Sequence, residues 1–188
     1  MTIWTNQRKS GLDDEYKERL GSEVFEFLKK DTSLRVLLID YKITVDKLHS
    51  QMNGIGLVDN SLFVLPVCKL FEGILQLVAK ETGWLEKFGK DKDEDFIRSF
   101  FKKHRAEIEK DIDTKIVSKD KRQEIKDKVF SVVNDFKVRH EAVHYGKIIN
   151  TSEVANYDAI ITKIKEIVSV LIENKFVDVE INIISSSD

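Results

Sequence analysis

Apolar residues recur at helical spacing along most of this sequence, which predicts a protein built mainly from long helices. Spacings of three and four residues predict five helices, over residues 12–30, 61–80, 91–112, 119–145 and 151–174. Gly21 interrupts the first of these helices and is expected to divide it. Ser118 is expected to cap the start of the helix over 119–145, and Gly146 is expected to end it.

Two other segments alternate apolar and polar residues with a period of two, which is typical of strands. They are residues 35–45 and 176–184, and each is the other's best partner for a small antiparallel sheet. The expected fold class is therefore mainly α, an antiparallel helical bundle with a small two-stranded β element from the N-terminal region and the C-terminus. Residues 1–58 are expected to form a helix–strand extension packed on the bundle, and residues 59–184 the helical domain with its C-terminal strand.

Composition narrows the class of protein. The chain has 188 residues, of which 41% are hydrophobic and 34% charged, so it has enough apolar surface to fold and is not disordered. No apolar run reaches the roughly 18 residues that cross a bilayer, and the N-terminus has no signal-peptide pattern, so no membrane association is expected. A single cysteine favours a reducing compartment, and we expect a cytoplasmic protein. The net charge of −2 means that any contact with nucleic acid must come from a local cluster.

The residues with catalytic chemistry are concentrated in one stretch, residues 138–146 (VRHEAVHYG). It holds two of the four histidines, together with Arg139 and Glu141. Residues 140–144 form an H-E-x-x-H pattern, in which His140 and His144 would bind zinc and Glu141 would act as the general base of a peptidase.

The zinc interpretation lacks its usual third ligand. Lys147 and Asn150 stand where the longer zinc motif has glycine and histidine, so a third ligand would have to come from elsewhere, such as Glu166 or Glu173. This interpretation stays open as an alternative.

The same stretch also contains Arg139 and His144 in an Arg-x4-His pattern, which suits metal-free cleavage of RNA. Histidine transfers protons near neutral pH, and arginine stays charged and binds two phosphate oxygens at once. On a straight helix, however, positions five residues apart diverge by roughly 140°. The pair therefore requires either that the helix ends near Gly146 or that two copies of the chain face each other.

Residues 139–144 (RHEAVH) resemble the R-(polar)-x3-H signature of HEPN ribonucleases, at the end of a long helix and before another amphipathic helix. Residues 70–73 (LFEG) resemble an L-E-G-like segment on an early helix of this superfamily, particularly in branches related to RNase LS-type toxins. The resemblance covers about residues 60–175. It implies a HEPN-like bundle and an endoribonuclease that needs neither metal nor other cofactor. In that reaction the RNA 2′-hydroxyl attacks the phosphate and leaves a 2′,3′-cyclic phosphate.

The resemblance also implies roles for particular residues and partners. Arg139 and His144 would be catalytic, and the auxiliary residues would be His140, Glu141, Glu72 and Tyr145. The partners implied are an RNA substrate, a second copy of the chain, and an antitoxin or regulatory protein, because such proteins act as toxins or antiviral effectors. One branch is regulated through a tyrosine two positions after the histidine, where this chain has Gly146.

Structural explanations compete with these roles. His140 continues the apolar stripe of Val133 and Phe136, so it is equally interpretable as a core histidine. A non-catalytic HEPN module that binds RNA or protein is the second candidate function.

The densest basic cluster comprises Lys102, Lys103 and Arg105. It either guides RNA or forms the solvated face of a charged helix.

Overall fold

The computed structural model describes residues 14–43, 61–89, 97–143 and 157–179. Within these ranges the chain forms nine helices and no strand, so the mainly α fold is confirmed and the small β element is not seen there. The helices are α1 (14–20), α2 (Ser22–Lys29), α3 (Thr32–Ile43), α4 (Ser61–Glu81), α5 (Trp84–Phe88), α6 (Ile97–Lys103), α7 (Arg105–Lys115), α8 (Lys119–Val143) and α9 (Tyr157–Glu173). None of the helices in the described ranges is long and apolar enough to cross a bilayer.

Helix α4 is the centre of the packing, since it contacts α3, α5, α6 and α8. Helix α9 packs against α8 and α2, so the first and last helices of the described ranges share one hydrophobic core. The largest fully buried side chains are mostly aromatic: Trp84, Tyr16, Phe27, Phe71, Phe100 and Phe101. A division of the chain at residue 58 stays a prediction, because residues 44–60 lie outside the described ranges.

The helical spacing located most helices correctly. The predicted helix over 61–80 is confirmed as α4, and those over 119–145 and 151–174 are confirmed as α8 and α9 within the described residues. Gly21 divides the first predicted helix, with a φ of 85° that glycine adopts without strain. The helix over 91–112 is confirmed from residue 97, and it bends at His104 between α6 and α7.

The prediction of a strand over residues 35–45 is wrong, because α3 covers the segment as far as residue 43, where the described range ends. Asp31 begins this helix as an N-cap, since its Oδ1 accepts a hydrogen bond from the Ser33 N–H at 2.8 Å. Leu34 and Leu38 lie one helical turn apart and are both buried against the core. The segment therefore contains an apolar pair at helical spacing, Leu34 and Leu38, in addition to the alternating pattern that suggested a strand.

The predicted C-terminal strand over residues 176–184 is absent from its described part, residues 176–179, and the remainder lies outside the described ranges. Phe176 and Val177 are both buried, and the Phe176 ring packs 5.9 Å from the Trp84 ring, centroid to centroid. The start of this apolar pattern thus anchors the end of α9 to the core. The predicted pairing with residues 35–45 fails, because that segment is helical through residue 43.

Helix α9 ends in a Schellman motif at Lys175. The Phe176 N–H donates to the Leu171 carbonyl at 2.9 Å, and the Lys175 N–H donates to the Ile172 carbonyl at 2.9 Å. Lys175 adopts a φ of 57°, the left-handed conformation that disfavours residues other than glycine.

Replacing Lys175 with glycine is expected to raise the free energy of unfolding by about 0.5–1 kcal/mol, because the left-handed strain of a Cβ is removed. The matched control is Lys165→Gly, an exposed position inside α9, which is expected to lower that energy by about 1 kcal/mol. Urea unfolding measures both changes. A loss of stability in Lys175→Gly would contradict this account of the helix end.

Candidate functional site

The candidate site lies at the C-terminal end of α8. Ser118 caps the start of this helix as predicted, because its Oγ accepts a hydrogen bond from the Lys121 N–H at 3.5 Å. Four side chains of α8 are buried in the core: Ile125, Val129, Phe130 and Val133. Contacts with α4, α6, α7 and α9 fix the helix that carries the motif.

The structure brings three of the predicted site residues into one helix. Arg139, His140 and Glu141 belong to α8 and lie within its last five residues. His144 and Tyr145 lie outside the described residues, as does Gly146. The approach of Arg139 to His144, and the catalytic roles of both, therefore stay predictions.

Glu72, the auxiliary residue predicted on α4, is exposed to solvent, whereas its neighbours in the LFEG segment are packed. Leu70 and Phe71 are almost completely buried. Gly73 faces Leu34 of α3 so closely that a Cβ added to the glycine would lie 2.4 Å from the leucine Cδ2. Burial in the core thus accounts for Leu70 and Phe71, and the close contact with α3 accounts for Gly73. A role for Glu72 in the site stays a prediction.

Replacing Gly73 with alanine is expected to lower the free energy of unfolding by about 1 kcal/mol. Displacing the buried Leu34 costs about 1–3 kcal/mol, which outweighs the gain in helix propensity. Gln76→Ala, an exposed position one turn later on α4, serves as the control and is expected to change stability by less than about 0.5 kcal/mol. Thermal unfolding measures both. If Gly73→Ala proved more stable than the parent, the close helix contact would be refuted.

The predicted basic cluster lies at the bend between α6 and α7. The Lys102, Lys103 and Arg105 side chains are all exposed. Between them His104 is mostly buried, and its ring packs against those of Phe88 and Phe100 at centroid distances of 6.4 and 5.1 Å. These aromatic contacts fix the bend on which the basic side chains are displayed.

A buried carboxylate, which the sequence reasoning missed, joins α5 to α7. Asp111 is 6% exposed and accepts three hydrogen bonds or ion pairs. The Trp84 indole N–H donates to its Oδ2 at 2.9 Å, the Lys87 Nζ lies 2.5 Å from its Oδ1, and the Lys115 Nζ lies 3.0 Å from its Oδ2. Burial raises the pKa of Asp111, but the donors Lys87, Trp84 and Lys115 lower it more, so the carboxyl titrates below its ordinary range.

A signal for this buried carboxylate was present in the sequence. Asp111 follows Ile108 by three residues and precedes Ile112, so it falls on the apolar face of α7. An acidic residue on an apolar face implies partners that satisfy it. Its partners lie on α5 and α7, so we assign Asp111 a structural role.

Comparisons with known proteins add no further constraint, since no family model, curated protein or solved structure matches this chain. Among the described side chains, no three His, Cys, Asp or Glu residues form a group that could hold a metal ion. The side chains of the H-E-x-x-H pattern, His140, Glu141 and His144, are not among those described.

Proposed function

We propose that this chain is a metal-independent endoribonuclease of the HEPN type, acting as a toxin or antiviral effector. The observation that carries the proposal is the Arg-x4-His pattern of residues 139–144, which begins in the last turns of the longest described helix. Support comes from the mainly helical fold, in which α8 packs between the earlier helix α4 and the later helix α9. The order of these helices is the one that the resemblance to HEPN ribonucleases implies.

The chemistry requires one group that transfers protons and one fixed cation. A histidine base takes the proton of the RNA 2′-hydroxyl, whose oxygen forms a bond to the adjacent phosphorus. The bond from phosphorus to the 5′-oxygen breaks, and that oxygen takes up a proton as it leaves. Arg139 balances the negative charge that builds up on the phosphate oxygens. The products are a 2′,3′-cyclic phosphate and a 5′-hydroxyl end.

A second copy of the chain suits this reaction. Each site would combine Arg139 of one subunit with His144 of the other, so that a symmetric dimer holds two sites. The divergence of roughly 140° between positions five apart on a straight helix favours the same arrangement. The proposal therefore includes a homodimer, and an antitoxin or regulatory protein would restrain the activity in the cell.

The test of the reaction class is cleavage of two oligonucleotides of identical sequence, in EDTA. One is all RNA, and the other carries 2′-deoxynucleotides throughout. The proposal predicts that only the RNA is cut, because the deoxy strand has no 2′-hydroxyl to attack phosphorus. Cleavage of both strands, or of neither, would contradict it.

The two alternative functions predict different results for the same purified protein. A zinc peptidase would contain about one zinc per chain, and His140→Ala would remove the metal because that histidine would be a ligand. A non-catalytic module would retain RNA without cutting it, and His144→Ala would leave that binding unchanged.

A further inference from the structure

A cleft with a volume of about 340 Å³ lies between α5 and α7. It is lined by two residues of α5 and four of α7: Lys87, Phe88, Glu107, Lys110, Asp111 and Thr114. Most of the surface that lines the cleft is apolar. Sites for small molecules typically have volumes of about 300–1,000 Å³, mostly apolar walls and a few polar groups. The cleft has all three properties.

The two walls of the cleft are held together by the buried carboxylate. The Lys87 Nζ and the Trp84 indole N–H of α5 both contact Asp111 of α7, at 2.5 and 2.9 Å. Trp84 is completely buried, and its ring packs edge-to-face on Phe101 with 6.2 Å between the centroids. Because these contacts fix the spacing between α5 and α7, the cleft is formed before a ligand binds, and little ordering of the protein opposes binding.

Phe88 gives the cleft a flat apolar surface. Its side chain packs against the core and is partly exposed. The Phe88 ring lies nearly parallel to the His104 ring, at an interplanar angle of 18° and with 6.4 Å between the centroids. These contacts hold the ring in place. An aromatic ligand gains most from such a surface, because contact between two rings adds to the burial of apolar area.

The charged groups in and beside the cleft leave a surplus of one positive charge. The ammonium groups belong to Lys87, Lys110 and Lys115, and the carboxylates belong to Asp111 and Glu107. Lys87 and Lys115 both pair with Asp111. Lys110 is exposed at the cleft and forms no ion pair with a residue in the described ranges. A ligand with a single negative charge would therefore balance the charge at Lys110.

We infer that this cleft binds a small aromatic carboxylate. The ligand carboxylate accepts hydrogen bonds from the Lys110 ammonium, and the ligand ring lies against Phe88. Lys87 stays paired with Asp111 and forms part of the wall. A doubly charged phosphate ester exceeds the surplus charge of the cleft, and an aliphatic acid lacks the ring that Phe88 favours.

An NMR titration with benzoate tests this assignment. The Trp84 indole N–H donates to Asp111 at the cleft, so its signal reports a bound ligand. In the wild type this signal is expected to shift and to saturate in the millimolar range. Lys110→Ala is expected to raise the Kd for benzoate about fivefold, the upper end of what an exposed charge pair contributes. Phe88→Leu is expected to raise the Kd about threefold, because the contact between rings is lost.

One control variant and two control ligands separate charge from apolar contact. Lys165→Ala removes an exposed lysine of α9, which does not line the cleft, and is expected to leave the Kd unchanged. Benzamide has the ring without the charge, so it is expected to bind more weakly than benzoate and to be unaffected by Lys110→Ala. Acetate has the charge without the ring, and it is expected not to saturate the Trp84 signal.

Weaker benzoate binding in both Lys110→Ala and Phe88→Leu, with no change in Lys165→Ala, would support the site. Equal affinity for acetate and benzoate would indicate an adventitious ion only and would overturn it. The site would also be overturned if benzoate failed to saturate the Trp84 signal, or if benzamide bound as tightly as benzoate. The same holds if Lys110→Ala bound benzoate as tightly as the wild type, or if Lys165→Ala weakened binding equally.

Discussion

His144→Ala is expected to slow RNA cleavage by at least about 100-fold, because general acid–base catalysis by one side chain contributes roughly 10²- to 10⁴-fold. Arg139→Ala is expected to slow it by a similar factor, since loss of one group that stabilises transition-state charge costs about 10²- to 10³-fold. Initial rates on a single-stranded RNA in EDTA measure both effects. Arg19→Ala is the control for loss of an arginine, because Arg19 lies on the surface in an ion pair with Glu15 at 3.4 Å.

If the site is shared between two subunits, the same two variants are expected to complement each other when mixed. If Arg139 of one subunit works with His144 of the other, mixing Arg139→Ala with His144→Ala restores one intact site in each mixed dimer. Random pairing then restores about a quarter of the wild-type rate. Circular dichroism establishes that both variants are folded. Wild-type rates in either folded variant would show that the pair does not catalyse the reaction.

Asp111→Ala is expected to lower the free energy of unfolding by about 3 kcal/mol, the largest change in stability that we predict. The substitution removes an acceptor shared by three donors and leaves the buried Trp84 indole N–H without its hydrogen bond. Asp113→Ala, two residues further along α7, is the control. Asp113 is 43% exposed and pairs with Lys126, so its loss is expected to cost less than about 1 kcal/mol. Urea unfolding at neutral pH measures both.

The same carboxylate makes stability depend on pH. The pKa of Asp111 is lowered in the folded protein, because the donors Lys87, Trp84 and Lys115 outweigh the effect of burial, which by itself would raise it. Its contribution is therefore complete above the unfolded pKa of about 4 and is lost as the pH falls through the lower folded value. Asp111→Asn is expected to remove this part of the acid dependence. The account would be contradicted if the free energy of unfolding of Asp111→Asn fell at acid pH as steeply as that of the wild type. Equal losses of unfolding free energy in Asp111→Ala and Asp113→Ala would also contradict it.

Much of the fold follows from the spacing of apolar residues, and the failures have local causes. In α8, Ile125, Val129 and Val133 recur every four residues and are all buried, so the helix and its inner face were predictable. In α3, Leu34 and Leu38 show the same spacing, but the alternation around them suggested a strand. The N-cap residue Asp31 was the signal in the sequence that distinguishes a helix from a strand in this segment.

The strand predicted near the end of the chain was wrong, and the buried carboxylate was missed, for a different reason. Both features depend on contacts between residues distant in sequence. Phe176 is buried by Trp84, which lies 92 positions earlier, so an apolar pattern there did not require a strand. Asp111 is stabilised by Lys87 and by the same tryptophan.

The candidate site was predictable only as a motif. The type and order of Arg139 and His144 are fixed by the sequence, and the helical context of Arg139 is confirmed. Whether the two side chains converge depends on the path of the chain after residue 143 and on a second subunit. Neither is determined by the spacing of residues on one helix.

The most direct measurement of the central claim is mass spectrometry of the RNA fragments that the protein leaves in EDTA. The wild type is expected to produce fragments with 2′,3′-cyclic phosphate and 5′-hydroxyl ends, and His144→Ala is expected to leave the RNA intact. Fragments with other ends, or the same fragments from wild type and His144→Ala at equal rates, would contradict cleavage by Arg139 and His144.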